Sequence, residues 1–174
     1  MPDALIRRAA PGDIAAITGI YAEAVRRGTA TFEIEPPDEA EMARRREALV
    51  TKDFPYLVAQ CDGLVAGYAY AGPYHSRVAY RWIAEDTVYV APKFHRRGLG
   101  KLLLTALIED LQARGFRQLI GVIGDSTNAA SIGAHASVGF RHVGTVQSVG
   151  FKLGRWLDAV VMQRALGSGD TTPP

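Results

Sequence analysis

Apolar residues recur along this chain with two different periods, which predict an alternation of strands and helices. Helical spacing of three and four residues follows Asp13 up to Gly28 and recurs over 38–50, 99–114 and 128–138. Strand-like apolar runs occupy 5–10, 56–61, 64–70, 80–90, 118–124, 141–149 and 157–164. The run 118–124 is apolar throughout, which is typical of a strand buried on both faces. The chain is therefore expected to form an α/β protein.

Turn and capping signals set the limits of several elements. Asp62-Gly63 separates two strand runs by two residues, which is a strong hairpin signal. Asp13 is a suitable N-cap for the first helix, and Gly115 is a suitable C-cap for the third. The length suits a single domain over 1–166, and 167–174 is expected to be a disordered tail.

A basic loop with two glycines stands between the strand 80–90 and the following helix. Its sequence is Arg96-Arg97-Gly98-Leu99-Gly100-Lys101. Such a loop brings free backbone N–H groups and the positive end of a helix dipole to one place, where phosphate oxygens bind. A plain glycine turn with solvated charges explains the same residues equally well. The spacings of the P-loop and of the Rossmann dinucleotide motif do not occur here.

Composition and charge exclude several classes of function. Hydrophobic residues make up 48% and charged residues 22% of the chain, which are ordinary globular values. A net charge of +2 and the lack of a basic face with interleaved aromatics exclude nucleic acid as a partner. Cys61 is the single cysteine and the histidines lack ligand spacing, so no metal is expected. No signal peptide or membrane-length apolar run occurs, which predicts a cytoplasmic protein without a membrane partner.

The basic loop resembles the Q/R-x-x-G-x-G/A signature of GNAT-superfamily acetyltransferases, in a looser register because the strict spacing begins at His95. Other segments resemble the phosphinothricin N-acetyltransferase family: 70–74, Arg77, 79–80, Glu85, 87–90, 122–124, His135, 139–140 and 150–158. The resemblance covers nearly the whole chain. It departs at His75, Arg81 and Ala84, where some relatives carry other residues, and these positions lie near the expected acceptor end of the site.

The resemblance implies a GNAT fold, with a central, mostly antiparallel twisted sheet flanked by helices. It implies acetyl-CoA as co-substrate, a small glutamate- or methionine-like acceptor of the acetyl group, direct transfer without an acyl-enzyme, and a homodimer. The residues that it assigns to acetyl-CoA are Val88, Tyr89, Val90, Arg96, Arg97, Gly98, Leu99, Gly100, Lys101 and Asn128. For the valines it implies backbone contacts, and Asn128 is equally plausible as a helix N-cap.

Two residues are candidates for the proton transfers that acetylation of an amine requires. The resemblance makes Glu85 the general base, and partial burial on its strand is expected to raise the pKa of its carboxyl. The alternative is an exposed strand carboxylate. His135 is the candidate acid for the departing thiolate. It can also be a hydrogen-bonded helix histidine that only lines the site.

The resemblance places the acceptor beside Phe32, Tyr74, His75, Ser76, Arg77 and Tyr80. An anionic acceptor favours cationic and planar partners, although an arginine in a loop is by default solvated. Lys152 and Trp156 suit either the pocket or a dimer edge. Two rival functions remain: acetylation of another amine, either a protein N-terminus or a polyamine, and a non-catalytic acetyl-CoA-binding module. Arg77 and Arg81 count against a polyamine, and Glu85 counts against the module.

Overall fold

A computed structural model describes residues 4–174, and seven strands form one sheet within this range. The strands are β1 (Ala4–Arg8), β2 (Tyr56–Cys61), β3 (Leu64–Pro73), β4 (Ile83–Val90), β5 (Gln118–Gly124), β6 (Arg141–Lys152) and β7 (Arg155–Ala165). The α-helices are α1 (Ile14–Arg27), α2 (Glu39–Val50), α3 (Leu99–Ala113) and α4 (Ala129–Ser137). The α/β class with a mixed sheet and flanking helices is confirmed.

The sheet is mostly antiparallel, with one parallel pair at its centre. The strand order is β1-β2-β3-β4-β5-β7-β6, and β4 and β5 are the parallel neighbours. Their pairing ends where Asp86 lies opposite Gly121, while β4 continues to pair with β3 up to Val90. Beyond Asp86 the two parallel strands therefore separate and open a cleft.

The two faces of the sheet carry two separate apolar cores. On one face α3 buries leucines such as Leu103 and Leu107, and each such burial stabilises the fold by about 1.5–3 kcal/mol. On the other face α1 packs over stacked tyrosines, including Tyr68 and Tyr89. Side chains alternate along a strand, and Val88 belongs to the α3 face. Along β4, Glu85 therefore points to the α1 face and Asp86 to the α3 face.

Most of the predicted limits are confirmed, and Asp13 stands at the predicted N-cap position of α1. Asp62 and Gly63 both have positive φ, at 50° and 76°, as a two-residue type I′ hairpin turn requires. Asp13 makes no side-chain capping bond to α1. Its carboxylate instead accepts from the Arg7 guanidinium at 2.7 and 2.8 Å and from the Ala10 backbone N–H at 2.7 Å. An ion pair between neighbouring segments thus replaces the local capping bond.

Some boundaries differ from the sequence expectation. The strand predicted from 80 begins at Ile83, because Val78–Tyr80 forms a 3₁₀ turn. The last hairpin is longer than expected, since β6 and β7 pair up to Lys152 opposite Arg155. The segment 167–174 forms turns, and the Arg117 guanidinium donates to its carbonyl groups. The domain limits and the tail stay predictions.

Two features are absent from residues 4–174: a helix that could cross a membrane and a cluster of metal ligands. No helix in this range combines the length and the apolar character needed to cross a bilayer. The same range contains no group of three or more His, Cys, Asp or Glu side chains placed to hold a metal ion. Cys61 is a buried free thiol.

Candidate active site

A cleft lies where β4 and β5 separate, and it brings together residues from distant parts of the chain. Its lining consists of Ala30, Glu85, Asp86, Thr87, Val88, Tyr89, Val122, Ile123, Gly124, Asn128, Ser131 and His135. Both predicted catalytic residues therefore line one cleft with three of the predicted cofactor-binding residues, Val88, Tyr89 and Asn128, whereas Val90 and the loop 96–101 do not line it. A larger cavity lies between Trp82 and 169–174, and none of the predicted site residues lines it.

The separation of the strands leaves backbone groups of β4 directed into the cleft. The Ala91 N–H donates to the Ala66 carbonyl of β3 at 2.8 Å. Backbone groups of successive residues point to opposite sides of a strand, so those of Val88 and Val90 point toward β5. The Val90 carbonyl lies 2.8 Å from Nε2 of His95. Val88 thus presents an edge-strand backbone that suits an extended ligand with amide groups.

The predicted phosphate loop lies at the N-terminus of α3. Gly98 is the N-cap, and its φ of 77° lies in the left-handed region that favours glycine. The first N–H groups of a helix have no intrahelical acceptor, so they are available to an anion. Arg96, Arg97 and Lys101 are exposed, and none forms a salt bridge in the described part of the chain. The arrangement suits a diphosphate.

Leu99 and Gly100 contribute differently to the first turn of α3. Leu99 is 1% exposed, so only its backbone is available to a ligand. A Cβ built on Gly100 would lie 3.8 Å from the Cβ of Ala134 on α4. A larger side chain at this position would therefore fill the gap between α3 and α4 beside the loop.

Glu85 lies on β4 just before the strands separate. It pairs with Gly72 of β3 and is partly buried. Burial raises the pKa of its carboxyl, and the charge of the adjacent Asp86 raises it further. Within residues 4–174 the carboxyl makes no side-chain hydrogen bond, so it is free to accept a proton from a ligand.

His135 lies on α4 and on the opposite face of the sheet from Glu85. The residue is 2% exposed, and its Nδ1 lies 2.8 Å from the Ser131 carbonyl oxygen. Its Nε2 lies 2.9 Å from Oδ1 of Asp86. Both ring nitrogens are therefore engaged within the protein. The structure shows a hydrogen-bonded histidine beside the cleft, and its use as an acid stays a prediction.

Asn128 caps the N-terminus of α4. Its Oδ1 accepts a hydrogen bond from the Ser131 backbone N–H at 3.2 Å, which confirms the N-cap interpretation. Asn128 also lines the cleft. Its contact with the cofactor stays a prediction.

Phe32 lies in a loop that several side chains anchor beside the cleft. Lys152 is buried, and its Nζ donates to the Thr31 carbonyl at 2.8 Å. The Tyr21 hydroxyl donates to Glu33 at 2.9 Å. These contacts hold the backbone on both sides of Phe32. Lys152 therefore lies beside the candidate site and supports its loop.

The other predicted acceptor residues lie in the segment 74–80, which follows β3. Rings of Tyr74, His75 and Tyr80 form a cluster with centroids 4.3 to 5.8 Å apart. Ser76 and Arg77 are exposed beside it. None of these residues lines the cleft that holds Glu85 and His135. Their contact with an acceptor stays a prediction.

Asp86 is the main residue that the sequence reasoning missed. A carboxylate that alternates with apolar strand residues is rarely buried without a partner. That pattern could have indicated a polar partner on the α3 face, where His135 lies. Ser131 was missed as well, because its contribution is a backbone carbonyl.

Comparisons with known proteins agree with this site. The family described as acetyltransferase (GNAT) matches residues 17–140. A phosphinothricin N-acetyltransferase of Alcaligenes faecalis is 52% identical over 162 residues, covering 93% of this chain and 82% of the relative. An L-methionine sulfoximine/L-methionine sulfone acetyltransferase of Salmonella typhimurium is 38% identical, covering 92% of this chain and 94% of the relative.

A solved structure resembles the fold over almost its whole length. It is a crystal structure of a GNAT superfamily phosphinothricin acetyltransferase from Sinorhizobium meliloti in complex with AcCoA. The TM-score is 0.95 at 45% sequence identity, covering 98% of this chain and 92% of the neighbour.

Proposed function

The chain belongs to the acetyltransferase (GNAT) family, and on this premise we propose which acetylation it performs. It transfers the acetyl group of acetyl-CoA to the α-amino group of a small amino acid analogue of the phosphinothricin or methionine sulfoximine type. The observation that carries the proposal is the cleft between β4 and β5, where a free carboxylate, Glu85, meets an exposed strand backbone.

The residues at the cleft fit acetyl-CoA. When bound, the coenzyme supplies an acetyl thioester that an amine can attack. The loop of Arg96, Arg97 and Gly98 offers backbone N–H groups and two cations to its diphosphate. The backbone of Val88 offers donors and acceptors to its amide groups. The site is proposed to work in the cytoplasm, where acetyl-CoA is abundant.

Glu85 is proposed to take a proton from the acceptor ammonium. An α-amino group is mostly protonated at neutral pH and cannot attack in that form. The raised pKa of Glu85 brings its carboxyl closer to the operating pH, which favours proton exchange with the amine. Direct transfer follows, because Cys61, the single thiol of the chain, is buried and does not line the cleft.

Cations near the acceptor side favour a substrate that carries negative charge. Arg77 and Arg81 are exposed in the segment before β4, and Lys152 is buried beside Phe32. A carboxylate or phosphinate group gains charge-assisted hydrogen bonds from such partners, whereas a polyamine would be repelled. This supports an amino acid analogue as acceptor.

A panel of acceptors tests the proposed function. We expect coenzyme A release with phosphinothricin, methionine sulfoximine and methionine sulfone, and kcat/KM at least about tenfold lower with ordinary amino acids, spermidine and a short peptide. Steady-state thiol detection measures the release. Equal rates with every amine would contradict the acceptor class. Binding of acetyl-CoA without any release would indicate a binding module instead.

A homodimer is proposed as the assembled form. The β6–β7 hairpin exposes several large apolar side chains: Val146, Val149, Phe151, Leu153 and Trp156. Phe151 and Trp156 lie edge to face with their ring centroids 5.3 Å apart. A cluster of exposed apolar side chains on one hairpin is typical of a protein–protein interface.

Replacing Phe151 and Trp156 together with serine is expected to convert the dimer to a monomer. The change removes two aromatic anchors from the surface, and such residues carry much of the binding energy of interfaces. Analytical ultracentrifugation measures the mass in solution. Leu5→Ser on the opposite edge strand is the control, since it removes an equally exposed apolar side chain. A double variant that stays dimeric would exclude this surface.

A further inference from the structure

Asp86 is a buried carboxylate to which the proposed function gives no role. Its side chain is 2% exposed, and its Oδ1 lies 2.9 Å from Nε2 of His135. Its Oδ2 has no hydrogen-bond partner in the described part of the chain. Burying an ionised carboxylate without a cation beside it costs several kcal/mol. The carboxylate therefore depends on His135.

The hydrogen bonds of His135 indicate which protons its ring carries. The Ser131 carbonyl oxygen, 2.8 Å from Nδ1, can only accept, so Nδ1 is protonated. Nε2 faces Asp86, which when ionised also only accepts. A ring with both nitrogens protonated donates to both partners. A neutral ring would donate to Ser131 alone.

The other groups around the ring do not titrate. Gly121 of β5 packs against it, and the Phe140 ring lies edge to face at 5.0 Å between centroids. Glu85 points to the opposite face of the sheet. Burial acts against a charged ring, but the hydrogen bond and charge of Asp86 outweigh it, so the pKa of His135 lies above its ordinary value.

The absence of a side chain at position 121 makes room for this pair. A Cβ on Gly121 would lie 3.0 Å from Cδ2 of His135 and 3.3 Å from Oδ2 of Asp86. Gly121 is also the residue opposite Asp86 in the last pair of β4 and β5. The pair therefore occupies the inner end of the cleft, where the two strands begin to separate.

We propose that Asp86 is a positioning residue that holds His135 as an oriented imidazolium at the inner end of the cleft. The role rests on the proposed acetyl transfer: the Asp86–His135 ion pair is neutral as a whole, and its positive end, the ring, offsets negative charge that develops on the departing thiolate. Asp86 acts through His135 and makes no contact with substrate. The active form of the enzyme therefore has His135 protonated.

A titration of the His135 ring nitrogens by NMR, in protein without acetyl-CoA, tests the pair itself. The wild-type ring is expected to titrate above the ordinary histidine pKa of about 6.5. In Asp86→Asn, which keeps the size of the side chain, the midpoint should fall by about one pH unit or more, because burial then acts without a compensating charge. Asp62→Asn in the exposed hairpin turn is the matched control. A wild-type ring that titrates at or below the ordinary value overturns the inference, whether or not the variant folds.

The pH dependence of kcat at saturating substrates tests the consequence. Asp86→Asn is expected to lower kcat about tenfold or more at about pH 7.5, and kcat should recover as pH falls. Above the pKa of the ring, each fall of one pH unit raises the fraction of protonated rings about tenfold. Loss of the Asp86 charge also removes one cause of the raised pKa of Glu85. The fall of kcat at low pH, which reports Glu85, and the fall at high pH, which reports His135, should therefore both move to lower pH. An equal loss of kcat at every pH would indicate a packing role and overturn the inference.

A double variant tests whether Asp86 acts on kcat through His135. His135→Asn is expected to lower kcat at neutral pH, and adding Asp86→Asn should cause a much smaller loss than Asp86→Asn causes in the wild-type protein, because only its effect on Glu85 then remains. Additive losses would overturn the inference. If the wild-type protein releases no thiol with any acceptor, the proposed function fails, while the NMR titration still decides the protonation of His135.

Discussion

Replacing Glu85 with glutamine is expected to lower kcat for acetyl transfer by about 100-fold to 10,000-fold at neutral pH. Glutamine keeps the shape of the side chain but cannot accept the proton of the acceptor ammonium. Glu85 lines the cleft with a raised pKa and makes no side-chain hydrogen bond within residues 4–174. Steady-state thiol release at saturating acetyl-CoA and acceptor measures the change.

The pH profile sharpens this expectation. A carboxyl with a raised pKa loses its ability to act as a base as pH falls through that raised value. As pH decreases, kcat of the wild-type enzyme should therefore begin to fall at a pH above the ordinary glutamate range. Glu85→Gln should not show this fall of kcat. Glu109→Gln, at an exposed position of α3, is the control. Unchanged turnover in Glu85→Gln would remove Glu85 from the mechanism.

Replacing Gly100 with leucine is expected to weaken acetyl-CoA binding by about tenfold or more, which corresponds to about 1.4 kcal/mol. The new side chain would extend from a Cβ that lies 3.8 Å from Ala134, into the gap between α3 and α4 beside the phosphate loop. Calorimetry with acetyl-CoA measures the affinity.

Thermal unfolding separates this effect from damage to the fold. Leucine has a higher helix propensity than glycine by up to about 1 kcal/mol, so the variant should be at least as stable as the wild type. Gly19→Leu on α1 is the matched control, since Gly19 is exposed and a Cβ there meets no neighbour within 4 Å. An unchanged affinity in Gly100→Leu would place the diphosphate elsewhere.

Much of the candidate site could be predicted from the sequence. The pattern of a strand, a glycine loop and a helix predicted that Glu85 and Val88 lie on a strand and that Gly98 lies at the start of the next helix, as the structure shows. Resemblance to a family added His135 and Asn128, which line the same cleft as Glu85. Local signals sufficed for these elements, because turns, caps and periodicity depend on neighbouring residues.

Other features depend on contacts that side chains make with other segments of the fold. The sequence could not separate the roles of Lys152 and Trp156, whereas the structure buries Lys152 against the loop of Phe32 and leaves Trp156 exposed. It also predicted Asp13 as the N-cap of α1, and Asp13 holds that position, but its carboxylate binds the Arg7 guanidinium and makes no capping bond. In both cases a tertiary partner decided which of two locally plausible interactions formed.

The sequence by itself determined the α/β elements, the Asp62-Gly63 hairpin and the family resemblance, because these depend on the order of residues along the chain. The family resemblance implied that β4 separates from its neighbour, but only the tertiary structure decided that the separation begins after Asp86, and that this carboxylate meets a ring 49 positions further along. Strand alternation places Glu85 and Asp86 on opposite faces, but the partner on each face depends on how helices pack across the sheet. Packing of α4 against β5 therefore created the buried Asp86–His135 pair.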